Sequence, residues 1–201
     1  MMNIAIYSPI KKIGKSTLMT HLGFYAIENS IKTTIILKKG DNVVLKNLFA
    51  NDKYKEKLSD SIVKITNIDG KYKTDFIIYE IDDISGTKNL LNKIDKWIIL
   101  VDDEFDVRID GIDKKKIYLL RCGGTSDRTR KKEIRKADEI LKEWGYKIFQ
   151  FSIYFSDWIG KAKLLGLPAW GVTHAKKSIA IQNLELFCYW VFKHKCNDRF
   201  I

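Results

Sequence analysis

Short apolar runs alternate with segments of helical period along most of the chain. The runs at 3–8, 33–38, 61–66, 75–81, 97–102, 116–121 and 147–153 read as strands, and 16–29, 42–50, 86–94, 128–144, 157–165 and 176–195 read as helices between and after them. Several runs, such as Phe76-Ile77-Ile78-Tyr79 and Trp97-Ile98-Ile99-Leu100-Val101, are continuously apolar, as strands covered on both faces must be. The rhythm predicts an α/β fold: a doubly wound, mostly parallel sheet with helices on both faces. Gly166-Leu167-Pro168-Ala169-Trp170-Gly171 reads as a turn. After it, Ile179, Ile181, Leu184, Phe187, Cys188, Val191 and Phe192 form a helical apolar stripe. That stripe predicts a helix closing the sheet, with a membrane-surface or partner helix as the alternative.

Composition narrows the class. A chain of 201 residues, 45% hydrophobic and 30% charged with only two prolines, is expected to form one ordered domain spanning 1–201. No run has transmembrane length, and no signal peptide is expected because residue 3 already begins a strand, so the expected location is the cytoplasm. Cys122, Cys188 and Cys196 have neither metal-ligand spacing nor a histidine pair beside them, and they read as free thiols of a reducing compartment. A net charge of +11 points to polyanions, though a generally Lys-rich proteome gives the same excess.

The candidate chemistry sits at the first strand-to-helix junction. Gly14-Lys15-Ser16-Thr17 follows an apolar strand and opens a helix, which is the order of a phosphate-binding P-loop. In that scheme Lys12, Ile13, Gly14, Lys15, Ser16 and Thr17 cradle the phosphates through backbone N–H groups, Lys15 reaches the β/γ-phosphates, and the Ser16 hydroxyl ligates Mg²⁺. The expected cofactors are therefore ATP and Mg²⁺. The full G-x-x-x-x-G-K-[ST] pattern is broken, because Pro9 stands where its first glycine belongs. A chance tetrapeptide at an ordinary helix start is the competing reading.

Several segments resemble the ParA/MinD-type deviant Walker ATPases. Ser8-Pro9-Ile10-Lys11-Lys12-Ile13-Gly14-Lys15-Ser16-Thr17 aligns with the family's N-P-K-G-G-x-G-K-T-T, and Pro9 then falls on the family's proline. Asp75-Phe76-Ile77-Ile78-Tyr79-Glu80 looks like the strand that ends in the Walker B acid, and Ile94 to Leu100 resembles the strand after it. Thr125-Ser126-Asp127-Arg128-Thr129-Arg130 resembles d-x-R-T-R, and Ala162 to Pro168 resembles the family's A-x-x-x-G-x-[SP] helix exit. The order holds over almost the whole chain. The resemblance implies ATP at the carboxyl ends of the strands, nucleotide-dependent homodimers, binding to non-specific DNA, and a role in plasmid partition with a ParB-like centromere-binding partner.

Departures from the family pattern cluster on catalysis. Ile10 occupies the place of the signature lysine, with Lys11 one position away, and Lys38-Lys39-Gly40-Asp41-Asn42 stands where the family writes D-x-D-P-Q. Asp41 is the nearest carboxylate, and Glu80 fills the Walker B place with a side chain one methylene longer. Lys11, Asp41 and Glu80 are thus the candidate catalytic residues. Phosphoryl transfer depends on positioning, and a displacement near 1 Å can cost on the order of 10²-fold. The chain therefore reads as a nucleotide binder with slow or absent hydrolysis; a non-catalytic adaptor on the same fold is the runner-up, and a small-molecule kinase is the third reading, disfavoured because the chain shows no lid-like Arg-rich insertion.

Basic residues form groups at Lys114-Lys115-Lys116, along 128–136, and near the carboxyl end with Lys176, Lys177, Lys193, Lys195 and Arg199. On the helix expected from 128, the i, i+3, i+4 spacing gathers Arg128, Lys131, Lys132, Arg135 and Lys136 on one face; Arg130 lies beside them. Arg128, Arg130, Lys131, Lys132 and Arg135 are the candidate DNA contacts, with a solvated helix surface as the alternative. His21, His174 and His194 read as exposed or capping residues, and Trp144, Trp158, Trp170 and Trp190 as packing residues.

Overall fold

The computed structural model describes residues 1–37, 46, 51–59, 63–66, 70–105, 109–123, 131–154 and 156–193. The strands are β1 (Met2–Tyr7), β2 (Thr33–Ile36), β3 (Val63–Thr66), β4 (Phe76–Ile81), β5 (Lys96–Val101), β6 (Ile117–Arg121) and β7 (Lys147–Ile148). They form one sheet in the order β3-β2-β4-β1-β5-β6-β7, and every ladder among the described residues is parallel. The helices are α1 (Lys15–Glu28), α2 (Asp52–Ser59), α3 (Lys88–Leu91), α4 (Lys131–Glu143), α5 (Asp157–Leu165) and α6 (Ile179–Phe192). From β1 the chain winds through β2, β3 and β4 on one side, then crosses to β5, β6 and β7 on the other. The loop after β1 therefore stands where the winding reverses, at the carboxyl edge, where α/β sheets hold ligands.

Alternation along each strand divides the core between two faces. Ile4, Ile6, Ile35, Ile78, Ile98 and Leu120 face one cluster with α1 and α6, whereas Ala5, Ile77, Trp97, Ile99 and Leu119 face a second with Leu141 of α4. Both clusters are needed because a parallel sheet buries both faces. The α6 stripe fills the first cluster with Leu184, Phe187, Trp190 and Val191, all buried, so this helix closes the sheet. Truncation of such an aromatic, Trp190→Ala for instance, is worth about 3–5 kcal/mol. Arg121, 3% exposed at the end of β6, donates through Nε to Asp138 of α4 at 2.9 Å and through Nη1 to the Asp102 carbonyl at 2.5 Å. That buried ion pair fixes α4 against β5 and β6.

The expected elements recur with shifted limits. The helix expected at 42–50 lies outside the described residues, apart from Lys46. The unexpected α2 carries only Tyr54 and Leu58 as apolar residues, too few for a visible period. Its anchor is Tyr54, which meets Phe24 edge-on at 4.6 Å and donates to Glu28 at 2.6 Å. The expected helix 86–94 is a 3₁₀ turn at Ser85–Thr87 followed by the four residues of α3. The strand expected at 147–153 keeps its ladder only over Lys147–Ile148 and rejoins β6 through a bridge between Cys122 and Ile153.

Candidate functional site

After β1 the chain turns at Ser8, whose Oγ accepts the Ile10 N–H at 3.0 Å and lies 2.9 Å from the carbonyl oxygens of Ile10 and Leu100. This ties the start of the loop to the end of β5. Lys12 takes a left-handed φ of 61°, unusual for a residue with a side chain, and Gly14 follows at φ 102°. Gly14 is the N-cap of α1, where the first helical bond runs from Leu18 N to the Gly14 carbonyl at 3.0 Å. The N–H groups of the first turn of α1 therefore point out of the start of the helix, and the positive end of its dipole adds to them.

Residues 8–17 and Asp82 line a cavity of about 590 Å³. Of the predicted phosphate cradle, Lys12, Gly14, Lys15, Ser16 and Thr17 border it together. Ile13 does too, yet its side chain is 7% exposed and belongs to the core. Lys11 is exposed on the cavity wall. Lys15 Nζ donates to the Ile81 carbonyl at 2.9 Å, pairs with Asp82, and stands 3.9 Å from Glu80 Oε1. Glu80 is buried one residue before the end of β4, paired in register with Ile6. Asp41 lies outside the described residues.

Asp82 was not anticipated from the sequence. The signal was present: two residues beyond Glu80, strand alternation returns a side chain to the same face. No group of three or more His, Cys, Asp or Glu that could hold a metal occurs among the described residues. Mg²⁺ carried by a nucleotide takes one or two protein oxygens and keeps several waters, and a hydroxyl with a carboxylate is a donor set of that kind. Ser8, Ser16 and Thr17 carry hydroxyls among the residues that line the cavity, and Asp82 lines it with a carboxylate.

A second cavity, about 400 Å³, shares Ile13, Gly14 and Thr17 with the first as lining residues. Leu18, Cys122, Ile153, Ile159 and Leu184 make its walls largely apolar, with Ser156 and Asp157 among the polar groups. Sequence reasoning missed these residues because they come from α1, the end of β6, the end of the stretch after β7, α5 and α6. Their meeting is a product of topology. Ser156 fixes the start of α5 by accepting the Trp158 N–H at 3.4 Å.

Beneath the loop, His21 corrects the expectation of an exposed or capping residue. It is 4% exposed; Nδ1 lies 2.7 Å from the Thr17 carbonyl and Nε2 accepts the Ala169 N–H at 3.1 Å. Burial lowers its pKa to about 4, against the weaker raising effect of the Thr17 carbonyl. Glu28 closes the same side, accepting from Tyr54 and from Trp170 Nε1 at 2.8 Å. Trp170 and Trp190 are buried, and Trp144 and Trp158 half-buried. Burial also pushes the Cys122 and Cys188 thiols up, away from thiolate chemistry.

For the predicted DNA contacts, α4 begins at Lys131, Lys132 follows in its first turn, and Arg135 is exposed one turn on. Arg128 and Arg130 lie outside the described residues. No helix among the described residues is long and apolar enough to cross a membrane.

No protein-family model matches the chain, and no curated protein matches it in sequence. Solved structures do match its shape. A ParA family ATPase from Chlorobium tepidum TLS superposes with a TM-score of 0.61 at 15% identity, covering 94% of this chain and 98% of its own. The MinD cell division protein of Aquifex aeolicus gives 0.63 at 14% identity over 98% and 99%. A Borrelia burgdorferi B31 protein described as a plasmid partition protein, with AMPPNP bound, gives 0.58 at 15% identity over 92% and 98%. At these identities the likeness establishes the fold, which is that of the ParA/MinD P-loop NTPases.

Proposed function

We propose that this chain binds ATP with Mg²⁺ at the head of α1 and uses it to control homodimerisation and non-specific DNA binding in plasmid partition or a similar positioning task in the cytoplasm. The observation that carries the reading is the adjacency of the two cavities, which share Ile13, Gly14 and Thr17 as lining residues. The polar one suits a polyphosphate and the apolar one a purine base, which together make a mononucleotide site. The N–H groups of residues 15–17 and the Lys15 ammonium would meet the phosphates, and the Ser16 hydroxyl would meet the metal. Mg²⁺, when bound, neutralises phosphate charge and fixes the polyphosphate's geometry.

Hydrolysis is slow or absent in this reading. Among the described residues that line the phosphate cavity Asp82 is the carboxylate, and it pairs with Lys15, as does Glu80 at longer range. A carboxylate neutralised by a lysine orients water poorly. The same pairing favours the second reading, an adaptor that holds nucleotide without turnover. Exposed Lys11 would cross to a partner's nucleotide in the dimer, Arg128, Arg130, Lys131, Lys132 and Arg135 would meet DNA phosphates, and a ParB-like protein would be the centromere-binding partner.

Titration calorimetry with ATP and Mg²⁺, followed by phosphate release, tests the proposal. Wild type should bind and release phosphate slowly, and Lys15→Ala should bind about two orders of magnitude more weakly. Equal binding by both proteins, or by neither, overturns it.

A further inference from the structure

Because all strands run the same way, whatever precedes each strand is collected on one edge, remote from the phosphate loop. On that edge the chain repeatedly supplies lysine. Lys32 precedes β2, Lys73 precedes β4, Lys93 precedes β5, and Lys115 stands in the turn before β6; all four are exposed. Lys96 and Lys147 open β5 and β7. Exposed Lys193 follows α6, whose Phe192 meets Phe76, the first residue of β4, edge-on at 5.1 Å.

The carboxylates nearby are partly committed to the fold. Asp95 accepts the Asn3 N–H at 2.8 Å, Asp113 accepts the Lys115 N–H at 3.0 Å, and Glu28 holds Tyr54 and Trp170. Asp75 and Glu143 are exposed. Lysine positive charge thus recurs at β2, β4, β5, β6 and β7. These strands span five inter-strand steps, about 24 Å, or roughly seven base pairs of duplex.

We propose that this amino-terminal edge of the sheet is a docking face for the phosphate backbone of duplex nucleic acid. The inference rests on the duplex-binding part of the function proposed above, but it uses a different surface from α4. The side chains select the duplex over two other polyanions. A single strand needs exposed rings for base stacking. Here Trp190 and Tyr118 are buried, with Lys96 Nζ 4.5 Å from the Trp190 ring and Lys147 Nζ 4.8 Å from the Tyr118 ring, and the exposed Tyr189 ring has Lys193 Nζ over it at 4.9 Å, which leaves no row of open rings for successive bases among the described residues. A membrane surface favours an apolar face to insert, and the large hydrophobic side chains exposed here, among the described residues, are Met1 and Tyr189. What remains is distributed charge without base readout, the pattern of phosphate contacts.

The test is fluorescence anisotropy with a random-sequence duplex across salt concentrations, with and without ATP. It compares wild type, an edge variant (Lys73→Gln, Lys93→Gln, Lys115→Gln, Lys193→Gln) and a helix variant (Lys131→Gln, Lys132→Gln, Arg135→Gln). The edge variant should lose affinity, and its log–log salt slope should fall by about 0.9 for each phosphate contact removed, while ATP binding stays at the wild-type level. Arginine at the same four positions should restore binding, which separates loss of charge from loss of fold. If the helix variant alone loses affinity, the edge proposal is overturned and the duplex reading stands. If wild type binds no duplex even at low salt, the duplex reading falls and the edge proposal with it. Unchanged duplex affinity in the edge variant, with loss of binding to phosphatidylglycerol vesicles, overturns the proposal in favour of a lipid surface.

Discussion

The two edges of the sheet present charge in opposite ways. At the carboxyl edge a few groups converge on one point: the first-turn N–H groups of α1, Lys15, Ser16 and Asp82 around a single cavity. At the amino edge, lysines are spread over the starts of five strands and share no cavity. The first arrangement depends on geometry, since one displaced atom changes what it can hold. The second depends on number, since any phosphate along a backbone serves any lysine. A chain can therefore drift far at its second edge without losing the property, while drift at the first is felt at once.

Lys15→Ala is expected to separate the edges most widely. It removes charge-assisted bonds worth roughly 3 kcal/mol, or about two orders of magnitude in ATP affinity, while nucleotide-free duplex binding measured by anisotropy stays unchanged. A parallel loss of nucleotide-free duplex binding would break the comparison. Acid should act on the carboxyl side through His21. Its folded pKa of about 4 lies below the unfolded value near 6.5, so the unfolded chain takes up the proton first. Stability is full above pH 6.5 and falls as the pH drops toward 4, by roughly 3 kcal/mol, with no further loss from this group below that. Urea melts of wild type and His21→Gln across that window check it; equal slopes with pH would remove His21 as the cause.

Asp82→Asn should have a smaller effect and the opposite sign. Freeing Lys15 from a half-exposed carboxylate should tighten ATP binding by about 2- to 10-fold, discounted for solvent screening. Calorimetry with and without Mg²⁺ decides it, because weakening seen only with the metal would mark Asp82 as a metal ligand. A single exchange, Lys115→Gln, should produce the least change: about 0.9 in the salt slope and no change in ATP binding.

How much of this was legible in the sequence follows from what each feature depends on. Strands buried on both faces write themselves as continuous apolar runs, so β4, β5 and β6 were found nearly residue for residue. The loop at the head of α1 was legible because Gly14, at a φ of 102°, acts through local backbone geometry. Asp82 and the second cavity were not, since their roles depend on which strand ends become neighbours. His21 was misjudged because α1 is buried on almost every side, which leaves no polar face to distinguish an interior histidine from an exposed one. The lysines were plain as charge, yet their gathering on one edge follows only from the parallel order.

Trp170 donates to Glu28 at the foot of α1 and also stands edge-on to His21, 5.5 Å away, on the helix that begins at the phosphate loop. One indole is thereby mechanically coupled to both halves of α1. An axial shift of that helix would alter the polarity and hydrogen bonding around the ring, so the emission of Trp170, read as the difference between wild type and Trp170→Phe because four other tryptophans also emit, is a built-in optical gauge of that shift.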